Sequence, residues 1–212
     1  MAVESRNVGD IAMPKNLVPS GRRRWLFAAS IAVFTVIAVL GGQAIYKSVR
    51  WKRFSVVSEG KVYRSGQLSE RHFEAAIDQL GLKTVLCLND EQAARERDVC
   101  RQKGVQFFHF NMPSDGKGRP EDFVRVVQIL RDAEKQPVLV HCSAGVARTG
   151  VSVALYRVAE EGWSLNDAID ELRSFERHGR IEDDLRQHIV DLYQVHFRET
   201  HTAKNASSEE RR

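Results

Sequence analysis

Cys142 and Arg148, which stand six positions apart, are the residues of this sequence best suited to chemistry. Cys142 follows the apolar run Val138–Val140, which is typical of a buried strand, and the segment from Thr149 to Leu155 has helical spacing. The cysteine is therefore expected where a strand gives way to a helix. The unpaired amides and the dipole at the start of a helix attract anions, a thiolate among them. We predict that Cys142 is a nucleophile.

The residues that follow the cysteine are suited to binding a tetrahedral oxyanion. The guanidinium of Arg148 offers a planar pair of donors that fits two oxygens. Backbone amides can curl around the same anion, and Gly145 permits the dihedral angles that such a curl needs. The predicted phosphate-binding residues are Ser143, Ala144, Gly145, Val146, Ala147 and Arg148. The alternative interpretation is a buried structural cysteine followed by an unrelated arginine.

The ten residues HCSAGVARTG at 141–150 are similar to the signature loop of the cysteine-dependent protein tyrosine and dual-specificity phosphatases. They differ from the loop typical of the tyrosine-specific branch at Ala147, where that branch has glycine. The segments VYRSGQ at 62–67 and LKTV at 82–85 are similar to the compact atypical dual-specificity phosphatases. The resemblance covers about residues 54–197. It implies hydrolysis through a phosphocysteine intermediate, with no metal or other cofactor.

The resemblance also implies roles for individual residues. His141 would orient the loop, and the Thr149 hydroxyl would donate to the departing sulfur. The family carries its general acid on a flexible loop before the signature strand, and Asp115 is the only carboxylate in the corresponding stretch 111–120. Asp115 would protonate the leaving oxygen and then activate water. The tyrosine-specific enzymes have Trp-Pro-Asp here, which this sequence lacks, and Asp115 with Gly116 could instead form only a turn.

The other two cysteines, Cys87 and Cys100, are predicted to be structural. Cys87 lies in an apolar segment and is expected in the core, and Cys100 is expected on a helix face. Cys100 could instead be a resolving thiol, as in a sulfur-transfer or arsenate-reducing enzyme. Three cysteines do not make a disulfide framework, and no spacing of Cys and His in the sequence indicates a metal site.

Residues 25–46 are predicted to form one transmembrane helix, preceded by a disordered basic segment at residues 1–24. The stretch is almost wholly apolar, and as a helix it would be about 33 Å long, enough for a hydrocarbon core of about 30 Å. Basic residues flank it on both sides, so the orientation is left open, although a thiol that must stay reduced favours a cytoplasmic catalytic domain. A cleaved signal peptide and a buried core helix are the alternatives.

The excess of positive charge in the chain lies in the segment that contains this predicted anchor. Residues 1–53 carry nine basic and two acidic side chains, whereas residues 54–200 carry twenty and twenty-four. The positive charge therefore favours a membrane surface as partner and argues against nucleic acid.

Residues 47–200 alternate between strand and helix patterns, which predicts an α/β catalytic domain with a central, mostly parallel sheet flanked by helices. Residues 201–212 are polar and are predicted to be a disordered tail. The last helix is predicted to bury an apolar stripe made of Ile181, Leu185, Ile189, Leu192 and Val195.

Together these features predict a membrane-anchored phosphatase that acts on phosphorylated proteins. Relatives directed at inositides usually carry basic residues inside the signature loop, whereas Val146 and Ala147 are apolar. We therefore expect phosphotyrosine as the substrate, with phosphoserine or phosphothreonine also open. The alternatives are an inositide phosphatase and a catalytically inactive relative that binds phosphopeptides.

Overall fold

The computed structural model describes residues 51–176 and 182–198. The predicted disordered segment 1–24, the transmembrane helix 25–46 and the tail 201–212 lie outside these residues and stay predictions. Among the helices that the structure describes, none has the length and apolar character needed to cross a membrane.

Five strands of the described residues form one sheet, in the spatial order β1, β2, β5, β3, β4. β1 and β2 are antiparallel neighbours, and every other neighbouring pair in this sheet is parallel. The predicted α/β class with a mostly parallel sheet is therefore confirmed. The strands are β1 (Ser55–Ser58), β2 (Val62–Gly66), β3 (Thr84–Cys87), β4 (Gln106–His109) and β5 (Val138–Cys142).

The central strand β5 carries the signature loop at its carboxyl end. All five of its residues are buried, as expected of a strand that is covered on both faces. Its register sets Gly66 of β2 opposite Cys142, and Cys87 of β3 opposite His141. The carboxyl ends of three parallel strands therefore meet where the chain enters the signature loop.

Helices cover both faces of the sheet. The described helices are α1 (Glu70–Leu80), α2 (Ala93–Lys103), α3 (Pro120–Arg131), α4 (Ala147–Tyr156), α5 (Leu165–Phe175) and α6 (Asp183–Leu192). Two of them continue into a π-helical turn, α4 through Arg157–Glu161 and α6 through Tyr193–Phe197.

Alternate residues of β5 enter two different hydrophobic clusters. Val138 and Val140 pack in the cluster that contains residues of α3 to α6, whereas Leu139 packs with Phe73 and Ile77 of α1. Side chains alternate across a strand, so α1 and α2 cover one face and the later helices cover the other.

The π-helical turn after α6 changes which residues are buried. Leu185, Ile189 and Leu192 are buried as predicted, but Val195 is 73% exposed and Phe197 is 4% exposed. The prediction for Val195 was wrong because a π turn has wider spacing than an α-helix, which moves the buried position from 195 to 197.

Gly150 of the signature loop allows α4 to pack closely on α5. A Cβ at this position would lie 2.6 Å from Cγ of Leu172. Since atoms cannot approach so closely, any side chain at position 150 would push the two helices apart.

Gly150→Ala is therefore expected to destabilise the fold by about 1 to 2 kcal/mol. The overpacking costs more than the roughly 1 kcal/mol that alanine gains over glycine inside a helix. Urea unfolding of the full chain, followed by circular dichroism, measures this change.

Leu172→Ala supplies the matched background for this test, because it removes the atoms that the new methyl group would meet. In that background Gly150→Ala should cost nothing or should stabilise the fold. An equal cost in both backgrounds would contradict the proposed packing.

Candidate active site

Gly145 lies in the four-residue turn between β5 and α4. Its φ of +77° is in the left-handed region that favours glycine. A Cβ here would also lie 2.6 Å from the backbone nitrogen of Gly66 and 2.8 Å from the carbonyl oxygen of Ser65. Both the dihedral angle and the close approach of β2 therefore require glycine.

Three consecutive carbonyl groups of the signature loop accept hydrogen bonds from donors outside the loop. Because a trans peptide unit points its N–H group opposite to its carbonyl group, the N–H groups of these units point to the inside of the loop. The result is a concave row of donors of the kind that binds phosphate. The pairs are Ser143 with the Gln67 amide (3.1 Å) and Lys52 Nζ (2.8 Å), Ala144 with Arg53 Nη1 (2.9 Å), and Gly145 with Arg64 Nη2 (3.0 Å).

Cys142 is the last residue of β5, immediately before this turn. Its Sγ accepts a hydrogen bond from the backbone amide of Gly145 at 3.1 Å, a contact that suits a negatively charged sulfur. Only 1% of the residue is exposed. A phosphoryl group must therefore enter the loop in order to reach the sulfur.

Arg148 lies in the first turn of α4, with 7% of its surface exposed. Its Nη1 donates to the carbonyl oxygens of Leu88 and Met112, both at 3.3 Å. Its buried Nε has no hydrogen-bond partner among the described residues. The guanidinium is thus held by carbonyl groups that follow β3 and β4, and Nε has no competing partner among the described residues.

Thr149 does not make the contact that was expected of it. Its hydroxyl is buried and has no hydrogen-bond partner within residues 51–176 and 182–198, so a bond to the Cys142 sulfur is not present in this structure. A role for Thr149 while the sulfur departs stays a prediction.

His141 lies in a buried polar cluster with Glu96 of α2 and Cys87 of β3. Their side-chain ligand atoms lie within 4.8 Å of one another, so the cluster offers sulfur, oxygen and nitrogen to a metal ion. Cys87, however, donates its thiol hydrogen to the carbonyl oxygen of Asn89 at 3.0 Å. Burial, and then the nearby carboxylate of Glu96, raise the pKa of this thiol far above its ordinary value. A metal would need the thiolate, so the cluster is poorly suited to one.

Cys100 is fully buried in the apolar cluster that contains Phe73 and Leu139. Burial raises the pKa of its thiol to about 12. The residue is therefore part of the core, where a thiol has little reactivity.

Asp115 lies on the loop between β4 and α3, and its carboxylate is bound by Lys117. One oxygen accepts from the Lys117 backbone amide at 2.9 Å, and the other lies 3.6 Å from Lys117 Nζ. The same ammonium group pairs with Asp184 of α6, and the hydrogen bond to Asp184 is the largest cause of the raised pKa of Lys117. Lys117 thus connects the loop to α6.

Asp115 and the signature loop share one cleft of about 260 Å³. Its lining combines apolar side chains with carboxylates, and neither Cys142 nor Arg148 is part of it. The residues are Ser114, Asp115, Val146, Ala147, Leu172, Glu176, Glu182 and Leu185. The structure therefore brings Asp115 into the same cleft as Val146 and Ala147 of the predicted phosphate-binding loop.

Two charged residues at the back of the loop were not identified from the sequence. Arg64 of β2 is 1% exposed, donates to Gly145, and lies 3.6 Å from the centre of the Phe175 ring. Burial lowers its pKa to about 10. An arginine inside an apolar strand pattern is a signal that could have identified it. Glu96 gives no such signal, because it lies in a helix rich in charged residues.

Residues 48–209 match the tyrosine phosphatase family. The chain is 33% identical over 151 residues to the inositol diphosphatase DSP1 of Oryza sativa subsp. japonica, covering 67% of this chain and 64% of that protein. It is 31% identical over 147 residues to the dual specificity protein phosphatase TpbA of Pseudomonas aeruginosa, covering 68% of this chain and 62% of that protein. It thus spans a little under two thirds of the length of both relatives.

The fold is similar to the crystal structure of the core catalytic domain of the PP-IP phosphatase SIW14 from S. cerevisiae. The TM-score is 0.60 at 24% identity, covering 72% of this chain and 92% of that one. The family match extends over most of the chain and includes the whole signature loop, and so the chain belongs to the tyrosine phosphatase family.

Proposed function

We propose that the chain hydrolyses phosphotyrosine in proteins through a phosphocysteine intermediate. The observation that carries this proposal is the signature loop, whose carbonyl groups are bound from outside while its N–H groups face inwards. Cys142 Sγ and the unpartnered Nε of Arg148 belong to the same loop. This arrangement supplies a nucleophile and fixed donors for the phosphoryl oxygens.

In the first step the Cys142 thiolate attacks phosphorus in line with the leaving oxygen. The loop amides and Arg148 hold the three equatorial oxygens and stabilise their charge in the transition state. The sulfur–phosphorus bond forms as the bond from phosphorus to the tyrosine oxygen breaks. Asp115 gives its proton to that oxygen, so tyrosine leaves as a neutral phenol.

In the second step water replaces the sulfur. Asp115, now a carboxylate, takes a proton from the water as its oxygen attacks phosphorus. The sulfur–phosphorus bond breaks, Cys142 returns to the thiolate, and inorganic phosphate leaves. The Thr149 hydroxyl would stabilise the departing thiolate by donating a hydrogen bond to the sulfur. This hydroxyl is buried and has no other partner among the described residues.

The cleft beside the loop supports phosphotyrosine over a more highly charged substrate. Ala147 and Leu185 are apolar residues of its lining, whereas Glu176 and Glu182 place carboxylates on the same walls. Repulsion from these carboxylates disfavours a ring that carries several phosphates.

Inositol diphosphate hydrolysis is the second candidate function. DSP1, a relative at 33% identity, is an inositol diphosphatase. Lys52 and Arg53 also lie at the outer side of the signature loop, where they donate to its carbonyl groups. Cations so placed would attract an anionic ligand.

The full chain in detergent is expected to hydrolyse a phosphotyrosine peptide with kcat/KM at least tenfold above that for an inositol diphosphate, because the cleft walls repel the second substrate. Phosphate release from both substrates, and from phosphoserine and phosphothreonine peptides, measures this preference. Faster turnover of the inositol diphosphate would contradict the proposal and support inositol diphosphate hydrolysis instead.

Cys142→Ser is expected to abolish turnover of every substrate in this panel, since a hydroxyl is a far weaker nucleophile than a thiolate. Cys100→Ser is the matched control, because it changes a buried thiol outside the site and should retain activity. No turnover by the native chain would instead support the phosphopeptide-binding relative. Loss of activity in Cys100→Ser, with the fold intact, would support a resolving thiol.

Asp115→Asn is expected to slow phosphotyrosine hydrolysis by about 10²-fold to 10³-fold, within the range for general acid catalysis. The loss should be much smaller for a phosphate ester whose leaving group is a weakly basic phenol, because that group departs without a proton. Rates across a series of aryl phosphates measure this dependence. Equal losses along the whole series would exclude Asp115 as the acid.

We also propose that residues 25–46 anchor the catalytic domain to a membrane. The full chain should then stay with the membrane fraction after alkaline carbonate washing, and a chain that lacks residues 25–46 should be released. Protease treatment of sealed vesicles would report the side on which a tag at the carboxyl terminus lies. Release of the full chain by carbonate would contradict an integral anchor.

A further inference from the structure

Arg64 of β2 is a buried cation behind the signature loop. It is 1% exposed, although arginine is almost never fully buried unless it is paired. Its Nη2 donates to the carbonyl oxygen of Gly145 at 3.0 Å. Its Nε and Nη1 are buried and have no hydrogen-bond partner within residues 51–176 and 182–198. The guanidinium therefore brings its charge into the interior with a neutral carbonyl group as its hydrogen-bond partner.

The carboxylate of Glu171 acts on Arg64 but is bound by another residue. Arg157 donates to both of its oxygens, from Nε at 3.0 Å and from Nη2 at 2.6 Å. Burial lowers the pKa of Arg64 to about 10, because the charge of Glu171 offsets the burial only in part. Arg64 is thus still protonated at neutral pH, and the described residues do not fully compensate its charge.

The aromatic ring of Phe175 lies against the same guanidinium. Its centre is 3.6 Å from Cζ of Arg64, and the face of a ring attracts a cation. An apolar side chain could fill this space without burying a charge, and replacing buried charges by apolar groups is often neutral or stabilising. The arginine at this position therefore indicates a use for its charge.

The hydrogen bond from Arg64 acts on one peptide unit of the loop. The carbonyl group of Gly145 and the N–H group of Val146 belong to this unit, and in a trans peptide they point in opposite directions. A cation at the oxygen polarises the unit and makes its N–H group a stronger donor. The charge of Arg64 therefore lies behind a donor that faces the inside of the loop.

We propose that Arg64 is a positioning residue whose buried charge, acting through the peptide unit of Gly145 and Val146, raises the affinity of the signature loop for dianionic oxyanions. A phosphate monoester is such a dianion at neutral pH. This inference rests on the proposed function, since it concerns the same phosphate site. Arg64 touches no substrate, and the phosphoryl group in the loop completes the compensation of its charge.

Tungstate and perrhenate test the proposal, because they are tetrahedral oxyanions of nearly the same size with two negative charges and one. Their affinities for the full chain in detergent are measured by calorimetry at pH 7.5. Every chain also carries Cys142→Ser, so the charge of the sulfur plays no part. Because the Coulomb energy is proportional to the charge of the ligand, Arg64→Met should weaken tungstate binding by about tenfold and perrhenate binding by about threefold.

The ratio of the two affinities separates an effect of charge from an effect of structure. A purely structural role would weaken both ions by the same factor, since they have the same shape, and this result would overturn the proposal. Arg64→Lys keeps the charge and should restore the ratio, even if both ions bind less tightly. Failure to restore it would also overturn the proposal. Arg64→Gln provides a second neutral variant if circular dichroism shows that Arg64→Met does not fold.

Lys52→Met is the matched control. Lys52 also donates to a carbonyl group of the loop, that of Ser143 at 2.8 Å, but it is exposed. Salt screens an exposed charge much more than a buried one. In 0.5 M sodium chloride any effect of Lys52→Met on the ratio should disappear, whereas the effect of Arg64→Met should persist. Loss of the Arg64→Met effect in salt would contradict a charge that acts from the interior.

Anion binding and turnover distinguish the failure of this inference from the failure of the proposed function. A ratio that depends on Arg64, in a chain whose native form hydrolyses no phosphate ester, would support the inference and contradict the proposed function. An unchanged ratio, in a chain whose native form hydrolyses phosphotyrosine, would do the reverse. Absence of binding of both ions to the chain with Arg64 intact would contradict the anion site itself, and with it both proposals.

Discussion

The hydrogen bonds that hold the carbonyl groups of the signature loop outwards are the constraint on which the site depends. The loop can direct several N–H groups to one point only if the carbonyl groups on its other side find donors elsewhere, and the buried carbonyl group of Gly145 would be costly without one. Here those donors come from Lys52, Arg53, Arg64 and Gln67, all at or near β2. The inward row of amides is therefore a product of the sheet as well as of the loop.

The order of the strands explains why Arg64 of β2 and Gln67, which follows it, can supply two of these donors. β2 is the parallel neighbour of β5, and Gly66 lies opposite Cys142. Its next residue, Gln67, is thus level with the start of the loop, and Gly145 must lack a side chain to pass so close to Gly66. On the other side of β5, the residue after β3, Leu88, offers its carbonyl group to Arg148. The residues at the end of β2 therefore hold the signature loop, whereas the residue after β3 holds Arg148.

The sequence predicts the parts of the site that are local. The strand, the loop and the helix of the signature are adjacent in the chain, and their spacing alone places Cys142 and Arg148. The contacts that hold them are not local: Arg64 and Gly145 are 81 residues apart, and only the pairing of the strands brings them together. Glu96 lies in a helix whose charged pattern resembles a solvent-exposed one. The exposure of Val195 depends on a π turn, which has no signal in the spacing of apolar residues.

The charges on the carbonyl side of the signature loop are opposite in sign to those on the walls of the cleft beside it. Lys52, Arg53 and Arg64 bind the carbonyl side of the loop, so their positive charge strengthens an anion site without lining the cleft in front of it. The cleft walls carry carboxylates and apolar side chains instead. One phosphate is therefore attracted by the loop, while further negative charge on the same molecule would meet the carboxylates. This pattern of charge is the basis for proposing a substrate with a single phosphate on an aromatic group.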